Sequence, residues 1–228
     1  MKMYGATDIG LVRATNQDNF YIDKDMKWAV VADGMGGHNG GETASSMAVE
    51  EIKKSMAQGV GLKESISNAN TLVYRASVEN PELMGMGTTV VLCEILGGRL
   101  NIAHVGDSRA YLYRGGSLKQ ITKDHSIVQQ LIDSGTITEE QARYHPQRNL
   151  ITRAVGTEKN ILVDYDTIEL AENDYILICS DGLSSYVEED EIINILDGTN
   201  TSEIAGKLVE AANSNGGKDN VTVVLIKA

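Results

Sequence analysis

Two short apolar runs end in the same dipeptide. Ala29-Val30-Val31-Ala32 leads into Asp33-Gly34, and Tyr175-Ile176-Leu177-Ile178-Cys179-Ser180 leads into Asp181-Gly182. Runs so short and so apolar suit strands buried in a core. Each then delivers a carboxylate just past the strand, before a glycine that permits a sharp turn. A third aspartate, Asp219, stands ahead of the run Val221 to Lys227, in Gly216-Gly217-Lys218-Asp219-Asn220. In an antiparallel sheet the start of one strand lies beside the end of its neighbour, so all three carboxylates can meet at one rim. Any one Asp-Gly after a strand is an ordinary turn. Three converging carboxylates repel one another unless a cation sits among them, and oxygen-only ligands suit Mg2+ or Mn2+ rather than zinc.

The rest of the pattern supplies the frame. Trp28 to Ala32 reads as a buried strand, and residues 42–56 set Ala44, Met47, Ala48, Ile52 and Met56 on one helical face. A second helix spans 62–79 and stops at Asn80-Pro81. Thr88 to Leu96 and Leu100 to Val105 form a hairpin across Gly97-Gly98, and Ala110 to Arg114 follows, closed by Gly115-Gly116. Residues 126–133 are helical, and Thr138 with Gln141 makes a capping box for a short helix. Strands return at 161–170 and 175–179 around the turn Glu172-Asn173-Asp174, helices near 188–197 and 201–213, and a last strand at 221–227. Strands joined by tight turns, with helices arriving in pairs, give an α+β class with antiparallel sheets covered by helix pairs rather than βαβ alternation. No linker or repeat divides the 228 residues, so a single domain spanning 1–228 is expected.

Composition excludes several functions. The formal net charge is −12, which opposes nucleic-acid binding, since that needs a basic face to displace counterions. The longest apolar runs span about six residues, far short of the roughly 18 that cross a bilayer, and Met1 to Gly5 has no signal-peptide core. The two cysteines, Cys93 and Cys179, sit in apolar runs and read as buried thiols. A cytoplasmic protein is expected.

Other motifs are weak singly. Arg13-Ala14-Thr15-Asn16-Gln17-Asp18-Asn19 alone is a polar loop, and the glycine-rich stretch Gly36 to Glu42 lacks the Gly-Lys-Ser/Thr ending of a phosphate loop. His104-Val105-Gly106-Asp107-Ser108-Arg109, between two strands, reads at least as well as a tight turn held by an Asp107–Arg109 pair as it does as catalytic. His104 reads as a core or supporting residue, and His38, His125 and His145 fall in polar loops. There is no Gly-x-Ser-x-Gly elbow and no His-Glu-x-x-His helix.

Together these motifs are specific. The chain resembles the metal-dependent protein phosphatases, the type 2C serine/threonine phosphatases, and especially their compact bacterial branch. The resemblance covers essentially the whole chain. It rests on Arg13 to Asn19, Asp33-Gly34-Met35-Gly36-Gly37-His38, Gly87-Thr88-Thr89, Val105-Gly106-Asp107-Ser108-Arg109, Thr122-Lys123-Asp124-His125-Ser126, Thr152-Arg153-Ala154-Val155-Gly156, Ser180-Asp181-Gly182-Leu183 and Lys218-Asp219-Asn220.

The resemblance implies two antiparallel sheets sandwiched between helix pairs in four layers. It implies two Mn2+ or Mg2+ ions, with Asp33 bridging them, the Gly34 carbonyl on one, and Asp181 and Asp219 on the other. Asp18 would act from the second ligand sphere through water, and Arg13 would grip the substrate phosphate. A third, weaker ion would lie at Asp124 with Asp181; the plain reading of Asp124 is a helix N-cap. Residues 127–150 resemble the flap beside the site, where Arg143, His145 and Arg148 would meet phosphate or acidic groups, or simply form a solvated face. The eukaryotic branch carries a histidine where this chain has Met35, so no general acid is assigned. The implied activity is hydrolysis of phosphoserine and phosphothreonine in proteins by metal-activated water. The expected form is a monomer acting on phosphorylated proteins, opposing a bacterial Ser/Thr kinase. The rival readings are a binding module that reads phosphoproteins without hydrolysing them, and a two-metal phosphatase for small phosphoesters.

Overall fold

A computed structural model describes residues 1–37 and 40–228; His38, read above as part of a polar loop, lies outside them. The elements run β1 (Lys2–Asp8), β2 (Asp18–Ile22), β3 (Trp28–Met35), α1 (Gly40–Ala57), α2 (Leu62–Glu79), β4 (Gly87–Thr88), β5 (Val90–Leu96), β6 (Arg99–Val105), β7 (Arg109–Arg114) and β8 (Ser117–Gln120). They continue with α3 (Ile127–Asp133), α4 (Glu139–Arg143), β9 (Asp164–Glu169), β10 (Tyr175–Cys179), α5 (Asp181–Ser184), α6 (Glu189–Gly198), α7 (Ile204–Ser214) and β11 (Val221–Lys227). One sheet has the order β1-β11-β10-β7-β8; the other runs β2-β3-β5-β6-β9, with β4 beside β3. Every pairing is antiparallel.

Strand periodicity sorts the core into three layers. Trp28, Val30 and Ala32 of β3 pack with Ala44, Ala48, Ile52 and Ile66 of the α1–α2 pair. Ala29 and Val31, on the other face, meet Ile176 and Ile178 of β10 and Val224 and Ile226 of β11 between the sheets. The alternate residues Leu177, Cys179, Val223 and Leu225 turn outward onto Ile192, Leu196, Leu208 and Ala212 of the α6–α7 pair. The runs are uniformly apolar because both faces are buried, and the helix–sheet–sheet–helix sandwich follows.

Three local expectations change. The run from Thr88 is broken at Thr89, whose N–H leaves the ladder to donate to the Asp33 carbonyl at 2.8 Å. The strands on either side of Glu172-Asn173-Asp174 do not pair with each other, since β9 lies beside β6 in one sheet and β10 beside β7 and β11 in the other. That crossing is pinned by Asp174, which accepts a forked pair from Arg114 at 2.9 and 2.6 Å and the Ala171 N–H at 2.7 Å. Strands β1, β2 and β8 form where the sequence suggested no strand.

Candidate metal centre

Asp18 and Asp33 are cross-strand partners, at the start of β2 and near the end of β3. Asp181 opens α5 two residues after the end of β10, and Asp219 lies two residues before β11. Two glycines allow this crowding. A Cβ on Gly34 would stand 2.1 Å from the Gly41 carbonyl oxygen, and one on Gly182 would stand 1.9 Å from that of Asn220. No side chain fits at either place.

The carboxylates feel one another strongly. Burial, then Asp18, Asp181, Asp107 and Asp219, pushes the Asp33 carboxyl well above the usual range. Burial lifts Asp18 to about 7, against the pull of its Ser180 hydrogen bond. Burial and Asp219 lift Asp181 to about 6. Asp107, expected to pair with Arg109, is instead lifted to about 8 by burial and by Asp181 and Asp124. Arg13 closes on the rim, its Nη2 donating to Asp219 Oδ2 at 2.7 Å.

Several residues that the sequence left unassigned hold the carboxylates. Ser180 Oγ donates to Asp18 Oδ2 at 2.7 Å and accepts the Thr222 N–H at 3.0 Å, tying one sheet to the other. The other Asp18 oxygen is buried without a partner. Thr89 Oγ1 accepts the Asp33 N–H at 2.9 Å, and Thr88 Oγ1 donates to the Asp33 carbonyl at 2.9 Å. Asn220 accepts the Gln17 N–H at 2.8 Å and donates to the Ile9 and Thr15 carbonyls, fastening the Arg13 loop to the last strand. A divalent cation fits this donor set. It is all oxygen, carries more negative charge than Arg13 offsets, and leaves one buried oxygen unsatisfied.

Asp124 sits at the edge of this group, but it does not cap a helix. Ser126 caps α3, accepting the Gln129 N–H. Asp124 instead receives Arg109 in a fork, from Nε at 3.1 and 3.0 Å and from Nη2 at 2.7 Å, and Gln120 Nε2 at 2.8 Å. The expected Asp107–Arg109 pair gives way to this one.

The three flap residues part company. Arg143 pairs with Glu188, and His145 Nδ1 accepts the nearby Gln147 N–H at 3.2 Å. Arg148 lies near enough to Tyr186 to act on its phenol, as does Arg13, while burial, Asp219 and Asp181 together push that phenol upward.

His125, expected in a polar loop, is buried and stacks on His104 with ring centroids 4.9 Å apart. With Asp164 these rings lie close enough to suggest another metal site, but their chemistry is already committed. His104 Nε2 lies 3.0 Å from the Lys123 carbonyl, and His125 Nδ1 accepts the Gly106 N–H at 2.9 Å. Arg153 lies 2.7 Å from Asp164 and 3.0 Å from His125 Nε2, so a cation is already in place. The cluster fastens the Gly106 turn to the base of the flap. Both cysteines are free and buried, and burial pushes Cys179 up to about 12.

A family model described as Protein phosphatase 2C matches residues 12–217. The serine/threonine phosphatase stp of Listeria monocytogenes is 38% identical over 97% of this chain and 93% of its own length. The crystal structure of the Mycobacterium tuberculosis serine/threonine phosphatase PstP/Ppp superposes with a TM-score of 0.91 at 38% identity, covering 100% of this chain and 99% of that one. The catalytic domain of PstP solved in complex with two manganese ions gives 0.88 at 38% identity, over 98% and 96% of the two chains.

Proposed function

This chain belongs to the protein phosphatase 2C family and is a metal-dependent protein serine/threonine phosphatase; we propose which of its residues carry the reaction. Asp33, the Gly34 carbonyl, Asp181 and Asp219 would hold two Mn2+ or Mg2+ ions, Asp33 serving both. Bound there, the ions supply charge neutralisation and a water acidic enough to act as a nucleophile near neutral pH. The observation that carries this reading is the buried, partnerless oxygen of Asp18 beside Asp33 and Asp181, whose burial opposes ionisation.

The protein's own groups do the rest. Arg13 lies half in solvent with one nitrogen on Asp219, which leaves the other face of its guanidinium to take two phosphate oxygens. Its charge stabilises the phosphoryl oxygens as the bond to the Ser or Thr oxygen breaks. Asp18, held by Ser180, orients water at the rim. Met35 has no proton to give, so no side chain is assigned as general acid. A third, weaker ion would share Asp124 with Asp181, and it would be weak because Arg109 already occupies Asp124. Arg148 is the flap group favoured to meet substrate, ahead of Arg143 and His145. We read the whole chain as one catalytic domain, because β1 and β11, from its two ends, pair in one sheet. We place it in the cytoplasm as a monomer opposing a Ser/Thr kinase. Its free thiols suit a reducing compartment, and among the described residues no helix is long and apolar enough to cross a membrane.

The test is phosphate release from a phosphothreonine peptide. Activity should require Mn2+ or Mg2+, vanish on chelation, return with Mn2+, and be lost in Asp33→Asn with the fold intact by circular dichroism. Turnover that survives exhaustive chelation, or an active Asp33→Asn, would overturn the assignment. A non-hydrolysing binding module is disfavoured, because Asp33, Asp181 and Asp219 are all retained.

A further inference from the structure

The loop between β1 and β2 runs Ile9-Gly10-Leu11-Val12-Arg13, and Leu11 and Val12 leave 71% and 68% of their surface in water. The loop is nevertheless fixed. The Leu11 N–H donates to the Gly217 carbonyl at 2.7 Å, and the Gly10 N–H donates to Asp8 Oδ1 at 2.8 Å. Asn220 holds the carbonyls of Ile9 and Thr15 at 2.9 and 3.0 Å. Leu11 rests against the backbone at Gly217, where an added Cβ would come within 2.7 Å of its Cγ. Two residues further along that segment is Asp219, on which Arg13 closes. Two aliphatic residues thus stand in water on a fastened loop, next in sequence to the arginine of the carboxylate rim. Adjacent exposed apolar side chains beside a binding group offer surface that a ligand can cover.

We propose that Leu11 and Val12 form an apolar shelf that selects phosphoprotein substrates carrying an aliphatic or aromatic residue near the phosphorylated one. This rests on the reading that seats the phosphate at Arg13. The occupant is a substrate segment because the shelf is continuous with that site. An extended chain advances ~3.4 Å per residue, so a shelf one to two residues from Arg13 meets the substrate within about three residues of the phosphate. A polar residue there would lose hydration without gaining a partner. An apolar contact of this size discriminates by roughly tenfold.

The experiment measures kcat/KM with Mn2+ on phosphothreonine peptides bearing either Leu or Gln at each of about three positions on either side. Gln is chosen because the net charge of −12 would by itself disfavour an acidic residue. Wild type should prefer Leu by roughly tenfold at one or two positions, and the doubly substituted Leu11→Ser, Val12→Ser protein should show a ratio near one. Arg13→Ala should slow both peptides and keep the ratio. A wild type without the preference, or a double variant that retains it, overturns the shelf. A dimer by sedimentation that dissociates in the double variant also overturns it, giving the surface to a second copy. Wild-type rates in Arg13→Ala would overturn the seating of the phosphate instead, a separate failure.

Discussion

Removing the metal should make this protein less stable as the pH rises, and the effect is large enough to measure. A carboxyl whose folded pKa is raised above its unfolded value stabilises the fold while protonated, and that contribution is lost as pH climbs through the folded pKa. Asp18 titrates at about 7 and Asp107 at about 8, both from a model value of 3.8. Between about pH 6.5 and about pH 8.5 this costs about 1 kcal/mol through Asp18 and about 2 kcal/mol through Asp107, and Asp33 adds with the same sign. His125, lowered by burial, acts only below this window, since its stabilisation is complete above the ordinary histidine pKa. About 3 kcal/mol corresponds to a fall of roughly 6–12 °C in Tm for a chain this long. The assay is thermal unfolding in chelator across that range, repeated in saturating Mn2+. The cation binds the ionised carboxylates and should abolish or reverse the slope. Asp18→Asn should flatten the slope in chelator and raise Tm at the alkaline end, because its amide oxygen can still accept from Ser180. A Tm in chelator that is flat or rises with pH would refute the electrostatic account of the centre.

Two substitutions separate roles around the rim. Arg13→Ala removes a charge-assisted contact of about 1.5–3 kcal/mol, so kcat/KM on a phosphothreonine peptide should drop roughly 10- to 150-fold, with kcat affected as well; kinetics equal to wild type would leave Arg13 a surface residue. Asp124→Ala strands the Arg109 guanidinium, so it should cost about 3–5 kcal/mol rather than the ~1 kcal/mol of a lost cap, read as a lowered Tm. It should also alter the Mn2+ dependence of turnover if a third ion uses that carboxylate, whereas an unchanged Mn2+ profile would remove the third ion.

The layers were legible wherever burial leaves a periodic trace. Strands β3, β10 and β11 are apolar on both faces, α2 stops where Asn80-Pro81 must stop it, and the Thr138–Gln141 capping box forms with both of its hydrogen bonds. Strand β1 was hidden because it is half exposed and carries Gly5, which argues against a strand. The reason for that glycine lies elsewhere in the chain: a Cβ there would fall 2.3 Å from the Phe20 ring. The site divides in the same way. Asp33, Asp181 and Asp219 announce themselves because a strand points at each. Ser180, Thr89 and Asn220 do not, since their partners lie 162, 56 and 203 residues away and no local pattern records such bonds. The plain reading of Asp124 as a cap fails for a related reason, its partner Arg109 lying 15 residues away at the start of β7.

The pairing of β1 with β11, from Lys2 opposite Lys227 to Asp8 opposite Val221, bears on how the enzyme comes into being during synthesis. The proposed metal centre would draw on Asp18 and Asp33 early in the sequence and on Asp219 late in it. A ribosome-bound chain that lacks β11 therefore has only part of the donor set, and its Arg13 loop is unfastened, because Asn220 has not yet arrived. Contacts of such long sequence separation form slowly. Phosphatase activity is thus withheld until β11 has been made and has paired with β1.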